Sequence, residues 1–311
     1  MTTHRLDARA DTVVDVFAAA RPAVLTVDPG DTVVVRSLDA SGSLRPHGTP
    51  GERVPTLLPQ SAGHCLTGPI AVRGARPGDV LAVRFDAVDP DDWGWTVAGA
   101  RDTWLNRRLR LTPGEPAWLR WTLDWDPATR TGTGTDQFGH RVRLAPFLGV
   151  VGMPPEPDGE HSTIPPRPVG GGNIDCRSLV AGSTLHLPVT VAGGLLCLGD
   201  GHAAQGDGEV SGTAIECGMT STVTLDLVAD PPVSGIYAQT PEGRLTFGFD
   251  ASLDEAAAQA LDAMVDWLAR LHGLGRAEAL ALASAVVDLR VTQVANRTWG
   301  VHALLRPDAV R

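Results

Sequence analysis

Residues 199–209 contain more groups able to bind a metal or transfer a proton than any other stretch of the chain. The segment reads Gly-Asp-Gly-His-Ala-Ala-Gln-Gly-Asp-Gly-Glu and includes Asp200, His202, Asp207 and Glu209. Alternate side chains of an extended backbone share a face, so we expect Asp200 to point with His202, and Asp207 with Glu209. The interspersed glycines let the backbone bend between the two pairs. The spacing predicts a pocket lined with carboxylates and one imidazole.

Two structural interpretations compete with this functional one. Gly-Asp-Gly runs also occur in solvated acidic turns and in calcium-binding loops. However, the imidazole of His202 is a poor ligand for calcium and a good one for zinc or manganese. The two aspartates are also seven residues apart, which differs from the tight alternation of an EF-hand loop. We therefore interpret the segment as a functional site.

Other candidate residues stand alone in the sequence. Asp175 follows a Gly-Gly-Gly-Asn turn, where aspartate is common for structural reasons, and His64 is a lone histidine. Glu216 ends an otherwise apolar strand, and a buried glutamate needs a metal, an arginine or a proton. Cys176 is a rival nucleophile because the neighbouring Arg177 can lower a thiol pKa. The alternative is that Cys176 is only a small buried side chain.

The elements that position these residues are predicted to be mainly strands. The chain has 311 residues, 43% of them hydrophobic, and its 35 glycines and 24 prolines leave little room for long helices. Pro-Gly-Asp turns at 29–31 and 77–79 each precede a valine-rich run, which predicts β-hairpins. The predicted strands are 23–27, 32–35, 70–72, 80–85, 121–125, 184–189, 194–198 and 220–228.

Two other kinds of segment complete the organisation. A Pro- and Gly-rich stretch over 156–172 leads into Asn173, which predicts a lid or a pocket wall. Near the C terminus, a capping box over 252–255 begins an amphipathic helix that ends at Gly273, and a second helix is predicted over 276–289. We assign no chemistry to these two helices.

Most of the tryptophans are concentrated in one region. Such a cluster is either a sugar-stacking platform or a set of aromatic side chains that pack a sheet, and the frequent burial of Trp favours packing. The six residues are Trp93, Trp95, Trp104, Trp118, Trp121 and Trp125.

Composition excludes several classes of function. The net charge of −10 makes nucleic acid an unsuitable partner. The chain has no lysine, which excludes Schiff-base catalysis, P-loop nucleotide hydrolysis and Ser–Lys or Glu–Lys–Cys amide hydrolysis. Because we find no secretory signal and no apolar run of membrane-spanning length, we expect a cytoplasmic protein with no membrane partner. Its four cysteines are then expected to be reduced, mostly buried thiols.

Several motifs resemble the acetamidase/formamidase family, and particularly its shorter, acetamidase-like branch. Their order and spacing match from roughly residue 20 to the C terminus. The resemblance implies a mainly β fold, sandwich- or barrel-like, with a small C-terminal α/β portion. It also implies hydrolysis of short aliphatic amides to a carboxylate and ammonia. The motifs are 171–175, 199–209, 212–216, His64 with 66–70, 77–81 and 146–150.

We divide the chain into three parts on this basis. Residues 1–150 form an N-terminal β-rich part, and residues 151–228 form a central β segment that carries the site and the Pro- and Gly-rich loop. Residues 229–311 form a C-terminal α/β part packed on the rest. We expect a small-molecule amide as substrate and a homo-oligomeric assembly.

A mechanism for amide hydrolysis follows from the available residues. With no lysine and no Gly-x-Ser-x-Gly motif, activated water is the simplest nucleophile, and a divalent metal can activate it. Zinc is our first choice, with manganese or calcium as alternatives. We assign Asp175, Asp200, His202 and Asp207 as metal ligands with His64 less certain, Glu209 as general base with Glu216 as the competing choice, and Asn173 and Gln205 as residues that bind the amide.

Two functions of other classes stay open at this point. One is a non-catalytic β-sandwich that binds carbohydrate through the tryptophans and holds a structural calcium in the acidic loop. The other is a metal-buffering or scaffold protein without turnover. An assay of ammonia release from small amides separates both from an amidase.

Overall fold

The computed structural model describes residues 1–310, and strands dominate it. Its helices are α1 Trp104–Arg108, α2 Leu253–His272 and α3 Arg276–Val286. Its strands, in chain order, are β1 Thr3–Leu6, β2 Val13–Val14, β3 Val16–Phe17, β4 Leu25–Val27, β5 Thr32–Ser37, β6 Leu66–Val72, β7 Val80–Pro90, β8 Trp93–Ala98, β9 Ala117–Asp126, β10 Thr131–Asp136, β11 Arg141–Arg143, β12 Phe147–Gly152, β13 His161–Ser162, β14 Gly171–Asn173, β15 Thr184–Pro188, β16 Leu196–His202, β17 Glu216–Cys217, β18 Met219–Val228, β19 Tyr237–Thr240, β20 Gly243–Asp250, β21 Val287–Gln293 and β22 Trp299–Leu305.

Two large sheets share one hydrophobic core. A nine-stranded sheet has the order β1-β5-β18-β7-β15-β19-β20-β22-β21. An eleven-stranded sheet has the order β11-β10-β9-β8-β17-β16-β12-β14, with β6 also paired to β16 and β2 and β4 paired to β6. Buried side chains of both sheets, such as Val83 and Phe85 of β7 and Leu148 and Leu198 of the other sheet, belong to the same cluster. The prediction of a mainly β fold is confirmed.

The two Pro-Gly-Asp turns are not hairpins, which corrects the prediction. β4 and β6 belong to the eleven-stranded sheet, whereas β5 and β7, which follow the turns, belong to the nine-stranded sheet. In both turns the aspartate carboxylate accepts from the backbone N–H three residues earlier, Asp31 from Asp28 at 3.1 Å and Asp79 from Arg76 at 2.8 Å. Turn chemistry specifies a local reversal but not the sheet that the next strand joins, so each turn carries the chain across the core.

The C-terminal α/β portion extends the nine-stranded sheet. Helices α2 and α3 form a separate apolar cluster with β22. As predicted, the Ser252 side chain caps α2 and Gly273 ends it with a φ of 64°. The second helix is shorter than predicted, because Val287 begins β21 and pairs with Leu305 of β22. A β-branched side chain suits a pleated strand better than a helix, so the sheet takes this residue.

Strands from different parts of the chain alternate within both sheets. β18, from the central segment, lies between β5 and β7 of the N-terminal part, and β16 has β12 along one edge and β6 and β17 along the other. The boundaries at residues 150 and 228 therefore stay predictions, and neither large sheet is built from one segment alone.

Five of the six clustered tryptophans lie on β8 and β9 of the eleven-stranded sheet. Trp95 and Trp121 are buried, and their indole N–H groups donate to Asp39 and Thr96 at 2.7 and 3.0 Å. Trp104 is the exception, with 57% of its surface exposed. Packing, the interpretation favoured from sequence, therefore accounts for Trp95 and Trp121.

None of the helices within residues 1–310 is long and apolar enough to cross a membrane.

Candidate active site

The centre of the eleven-stranded sheet brings the acidic segment together with residues distant in sequence. Asp200 and His202 lie at the end of β16, whose neighbours are β12 and β17. Glu216, the first residue of β17, pairs with His202 in the sheet. Asp175 follows β14, which pairs with β12 on its other edge. Strand pairing, and not sequence proximity, assembles this cluster.

The potential ligand atoms of the cluster lie close together although no hydrogen bonds join them. The Nε2 atom of His202 lies 3.5 Å from Oδ2 of Asp200 and 3.4 Å from Oε2 of Glu216. Two overlapping groups each have ligand atoms within 4.8 Å of one another: Asp175, Asp200 and His202, and His202, Glu209 and Glu216. All five residues are buried. The geometry brings together five of the residues predicted from sequence.

Three of these residues adopt a backbone conformation that non-glycine residues rarely take. The φ angles are 51° for Asp175, 57° for Asp200 and 44° for Glu209. For Asp200 this is unusual because the residue lies inside a paired strand. Left-handed conformations of this kind cost about 1–3 kcal/mol each and accumulate at functional sites. The surrounding strands therefore hold these carboxylates in positions that a relaxed backbone does not provide.

Gly149 of β12 leaves the space that the cluster occupies. A Cβ atom built on this residue would lie 2.6 Å from Oδ2 of Asp200, 2.7 Å from Oδ1 of Asp175 and 2.7 Å from the His202 ring. The Gly149 carbonyl also accepts from the backbone N–H groups of Ile174 and Asp175, at 2.9 and 3.2 Å. Sequence reasoning missed this role, although Gly149 lies within a motif that carried the family resemblance.

Gln205 sets the orientation of the His202 ring. Its side-chain N–H donates to the Asp175 carbonyl at 2.8 Å, so its Oε1 faces Nδ1 of His202 at 2.9 Å. A carbonyl oxygen only accepts, and therefore Nδ1 must carry the proton that forms this bond. In a neutral ring Nε2 then presents a lone pair to the carboxylates. Gln205 thus contacts the cluster from outside and does not line the cavity that opens onto it.

Several buried polar atoms of the cluster have no hydrogen-bond partner among residues 1–310. Buried polar groups are nearly always paired, so each exception requires a reason. A divalent cation would satisfy oxygen and imidazole donors together, and this donor set suits zinc or manganese. The atoms are Asn173 Oδ1, both carboxylate oxygens of Asp175, His202 Nε2, Glu209 Oε2 and Glu216 Oε2.

The pKa values of the cluster residues also favour a bound cation. Burial and the nearby Glu209 charge raise the pKa of Asp175 well above its usual range. Burial likewise raises the pKa of Glu209 to about 8 and that of Glu216 to about 7. Burial alone would lower the pKa of His202, but the Glu216 and Asp200 charges raise it well above its usual range. Without a cation, protons must take the place of positive charge here.

A cavity of about 390 Å³ opens onto the cluster. Its lining includes Asn173, Asp200, Glu209 and Glu216, together with His64. The Nε2 atom of His64 lies 3.8 Å from Oδ2 of Asp200. Burial lowers the pKa of His64, which keeps its ring neutral at pH 7. The cavity gives a small molecule direct access to the unpaired carboxylates.

The Pro- and Gly-rich loop forms part of the cavity wall, as predicted. Ile164 lines the cavity, and the Thr163 hydroxyl accepts from the backbone N–H of His64 at 2.8 Å. The C-terminal part also supports the segment that carries Glu209. The Gly208 N–H donates to the Thr292 carbonyl at 3.0 Å, and the Val294 N–H donates to the Gly208 carbonyl at 2.8 Å. The residue before Glu209 is therefore tied to the end of β21.

Of the predicted metal ligands, His64 borders the five-residue cluster and Asp207 lies outside it. Asp207 is exposed, whereas Glu209 is buried, so the two do not share a face. The alternation rule requires an extended backbone, but the backbone N–H of Glu209 donates to the Gly206 carbonyl at 3.3 Å in a turn.

Cys176 is fully buried, and burial raises its thiol pKa to about 12, which disfavours a thiolate nucleophile.

The chain belongs to the acetamidase/formamidase family. A sequence model of that family matches residues 3–158 and 157–233, which together cover most of the chain. The fold and the buried cluster are therefore those of a member of this family.

Individual relatives carry amidase names. A formamidase from Methylophilus methylotrophus is 27% identical over 67% of this chain and 62% of its own length. An acetamidase from Mycolicibacterium smegmatis is 28% identical over 53% of both chains. The crystal structure of an acetamidase from Bacillus halodurans superposes with a TM-score of 0.85, at 28% identity over 97% of both chains. The matches with these two curated relatives span only 53 to 62% of the relatives' length.

Proposed function

We propose that this protein hydrolyses short aliphatic amides to a carboxylate and ammonia. The observation that carries the proposal is the set of unpaired, buried oxygen and nitrogen atoms at the end of a small cavity. Family membership and the amidase names of the relatives support the same reaction.

We propose Asp175, Asp200 and His202 as the residues that hold a divalent metal. They form one compact group of ligand atoms, and Gln205 orients the His202 ring with Nε2 toward it. Zinc remains our first choice because imidazole and carboxylate are ligands that it accepts readily. A divalent cation bound at such a site acidifies water and polarises a carbonyl group.

Glu209 is our choice for the general base. It lines the cavity, its Oε2 atom has no partner among residues 1–310, and its raised pKa suits proton exchange near neutral pH. Glu216 is the competing choice, but its Oε1 already accepts from the Ala214 N–H at 2.9 Å and its Oε2 faces His202. Glu209 would take a proton from the attacking water and return one to the departing nitrogen. Asn173 Oδ1 is available to accept from the amide N–H group.

Metal removal tests the proposal directly. We expect purified protein to release ammonia from acetamide or formamide, to lose this activity when the metal is fully chelated, and to regain it when one metal is restored. Comparing Zn²⁺, Mn²⁺ and Ca²⁺ in the restoration identifies the ion. Full activity after verified metal removal would contradict the metal assignment, and no ammonia from any small amide would contradict the function.

A pair of aspartate variants provides the matched comparison. Asp200→Asn alters a buried carboxylate of the cluster and is expected to lose bound metal. Asp207→Asn alters an exposed carboxylate two residues from Glu209 and is expected to retain it. Equal loss of metal in both variants would restore Asp207 as a ligand.

Location and assembly also stay proposals. Four free, buried cysteines support a reducing compartment, for which the cytoplasm is our prediction. Exposed apolar side chains such as Phe138, with 70% of its surface accessible, are compatible with contacts between copies of the chain. The molecular mass of the purified protein in solution checks the proposed homo-oligomer.

A further inference from the structure

A second, larger cavity adjoins the first. Its volume is about 860 Å³, compared with about 390 Å³ for the cavity over the acidic cluster. The two cavities share the wall residues Arg101, Ile164, Ala295 and Asn296. Pockets for ligands larger than acetamide measure about 300–1,000 Å³. The space next to the cluster therefore exceeds what a short aliphatic amide requires.

The charge of this second cavity is opposite to that of the cluster. Arg101 and Arg297 line it, and neither guanidinium has an ion-pair or hydrogen-bond partner among residues 1–310. Arg107 also lines it but is paired with Asp102 at 2.9 Å. Both side chains are exposed, and in a chain with a net charge of −10 they place positive charge where an anionic ligand of the cavity could pair with it.

Two tryptophans add an aromatic surface to the same cavity. The rings of Trp104 and Trp299 have centroids 5.7 Å apart, and Trp104 is 57% exposed. The loop between Arg101 and Trp104 is held in place, because the buried Asn106 side chain donates to the Arg101 carbonyl at 2.8 Å. An exposed but anchored indole beside an unpaired arginine suits a planar group that carries a carboxylate.

We propose that the second cavity binds the far end of a larger amide substrate, consisting of a planar aromatic group that ends in a carboxylate. The inference rests on the proposed amidase function, since the amide carbon of that substrate must reach the acidic cluster. Arg101, which lines both cavities, would pair with the carboxylate, and Trp104 would stack on the ring. Hydrolysis would release ammonia and leave an aromatic dicarboxylate.

Matched substrates test the charge preference. The acids are 4-carbamoylbenzoate and 3-(4-carbamoylphenyl)propanoate, and each is compared with its neutral methyl ester through the ammonia released. We expect at least one acid to exceed its ester in kcat/KM by about two- to fivefold, the size of effect typical of one accessible ion pair. The difference should lie in KM and should shrink at high salt. If neither acid is preferred over its ester, the inference is wrong.

Variants locate the preference on this surface, with acetamide hydrolysis of the same preparation as the reference for folding. We expect Arg101→Gln to lower the acid-to-ester ratio by about two- to fivefold. Arg107→Gln is the control, because Asp102 already neutralises Arg107, and it should keep the ratio of the parent. We expect Trp104→Ala to lower kcat/KM for acid and ester alike by about three- to tenfold relative to acetamide. Equal effects of Arg101→Gln on acid and ester would overturn the inference.

The result separates this inference from the proposed function. If acetamide releases ammonia but the acids show no preference, only the further inference fails. If no amide is hydrolysed, the proposed function fails, and the binding of terephthalate measured by calorimetry decides whether the anion site exists. In that case, binding of terephthalate that Arg101→Gln weakens and Arg107→Gln preserves supports the site, and absence of binding refutes it.

Discussion

The two large sheets differ in the backbone conformations that their strand residues adopt. Both sheets contain register irregularities, which occur at β18 with β7 and β21 with β22 in the nine-stranded sheet and at β16 with β6 in the eleven-stranded sheet. What distinguishes the eleven-stranded sheet is Asp200, which among residues 1–310 is the only non-glycine residue inside a strand with a left-handed conformation. Departures from local preference concentrate where the unpaired carboxylates lie, as expected for a site whose function requires strain.

The environments of glutamate carboxylates also differ between the two sheets. At the nine-stranded sheet, Glu242 accepts from Arg290 at 2.8 Å and from the Ser178 hydroxyl at 3.0 Å. Although burial opposes it, this pairing lowers the pKa of Glu242. At the eleven-stranded sheet, Glu209 and Glu216 crowd around a single imidazole and their pKa values rise. One sheet uses carboxylates for structure, whereas the other holds them ready for a cation or a proton.

The largest expected effect tests this contrast between glutamates. We expect Glu209→Gln to lower kcat for acetamide by about 10²–10⁴-fold while metal content stays intact, because a general base is lost. Glu242→Gln, at the other sheet, is the control and should affect stability more than turnover. Parallel measurements on Glu216→Gln decide between the two candidate bases. Full activity of Glu209→Gln would remove Glu209 from the mechanism.

A second prediction concerns the space beneath the cluster. We expect Gly149→Ala to lower kcat/KM by about 10²-fold, because the new methyl group would displace the Asp200 and Asp175 carboxylates. Gly206→Ala is the matched control, since a Cβ atom there meets nothing within 4 Å. Amide kinetics and metal content of the two variants check this. Similar behaviour of both would mean that the cluster tolerates displacement.

A third prediction concerns the ring orientation set by Gln205. We expect Gln205→Leu to weaken metal affinity by about 10–100-fold, as is typical when the partner of a metal-binding histidine is removed. Gln205→Glu keeps an acceptor for Nδ1 of His202 and should retain more affinity. Competition with a coloured chelator measures both values. Unchanged affinity in Gln205→Leu would show that the packing around His202 orients the ring without this bond.

The smallest expected effect concerns the buried His302 of the nine-stranded sheet and the pH dependence of stability. Burial lowers the pKa of His302 to about 4, so the folded protein keeps this ring neutral while the unfolded chain takes up a proton below about pH 6.5. The unfolded state then binds more protons, and stability must fall as the pH drops from about 6.5 towards 4. We expect His302→Gln to remove about 2 kcal/mol of the stability difference between pH 7 and 5. Urea unfolding at both pH values checks this, and an identical pH dependence in variant and parent would refute it.

Sequence patterns predicted individual helices and turns better than they predicted which strands pair. The α2 helix was predictable because a capping box and a terminal glycine act through neighbouring residues. The hairpin prediction from the Pro-Gly-Asp turns was wrong because the same turn chemistry occurs in a hairpin and in a crossover between sheets. Asp207 misled because the alternation rule assumes an extended backbone, and the chain turns before Glu209. Strand partners distant in sequence decide the first failure, whereas a local turn closed by the Glu209 N–H and the Gly206 carbonyl decides the second.

The amino-acid sequence by itself determined the mainly β character, the absence of lysine chemistry and the acidic segment around Asp200 and His202. These properties reside in residue types and short spacings. Only the tertiary structure decided that Asp175 and Glu216 join that segment, that Asp207 does not, and that Gly149 makes room for them. The physical reason is that a binding site depends on which strands pair across the sheet, and long-range packing selects that pairing.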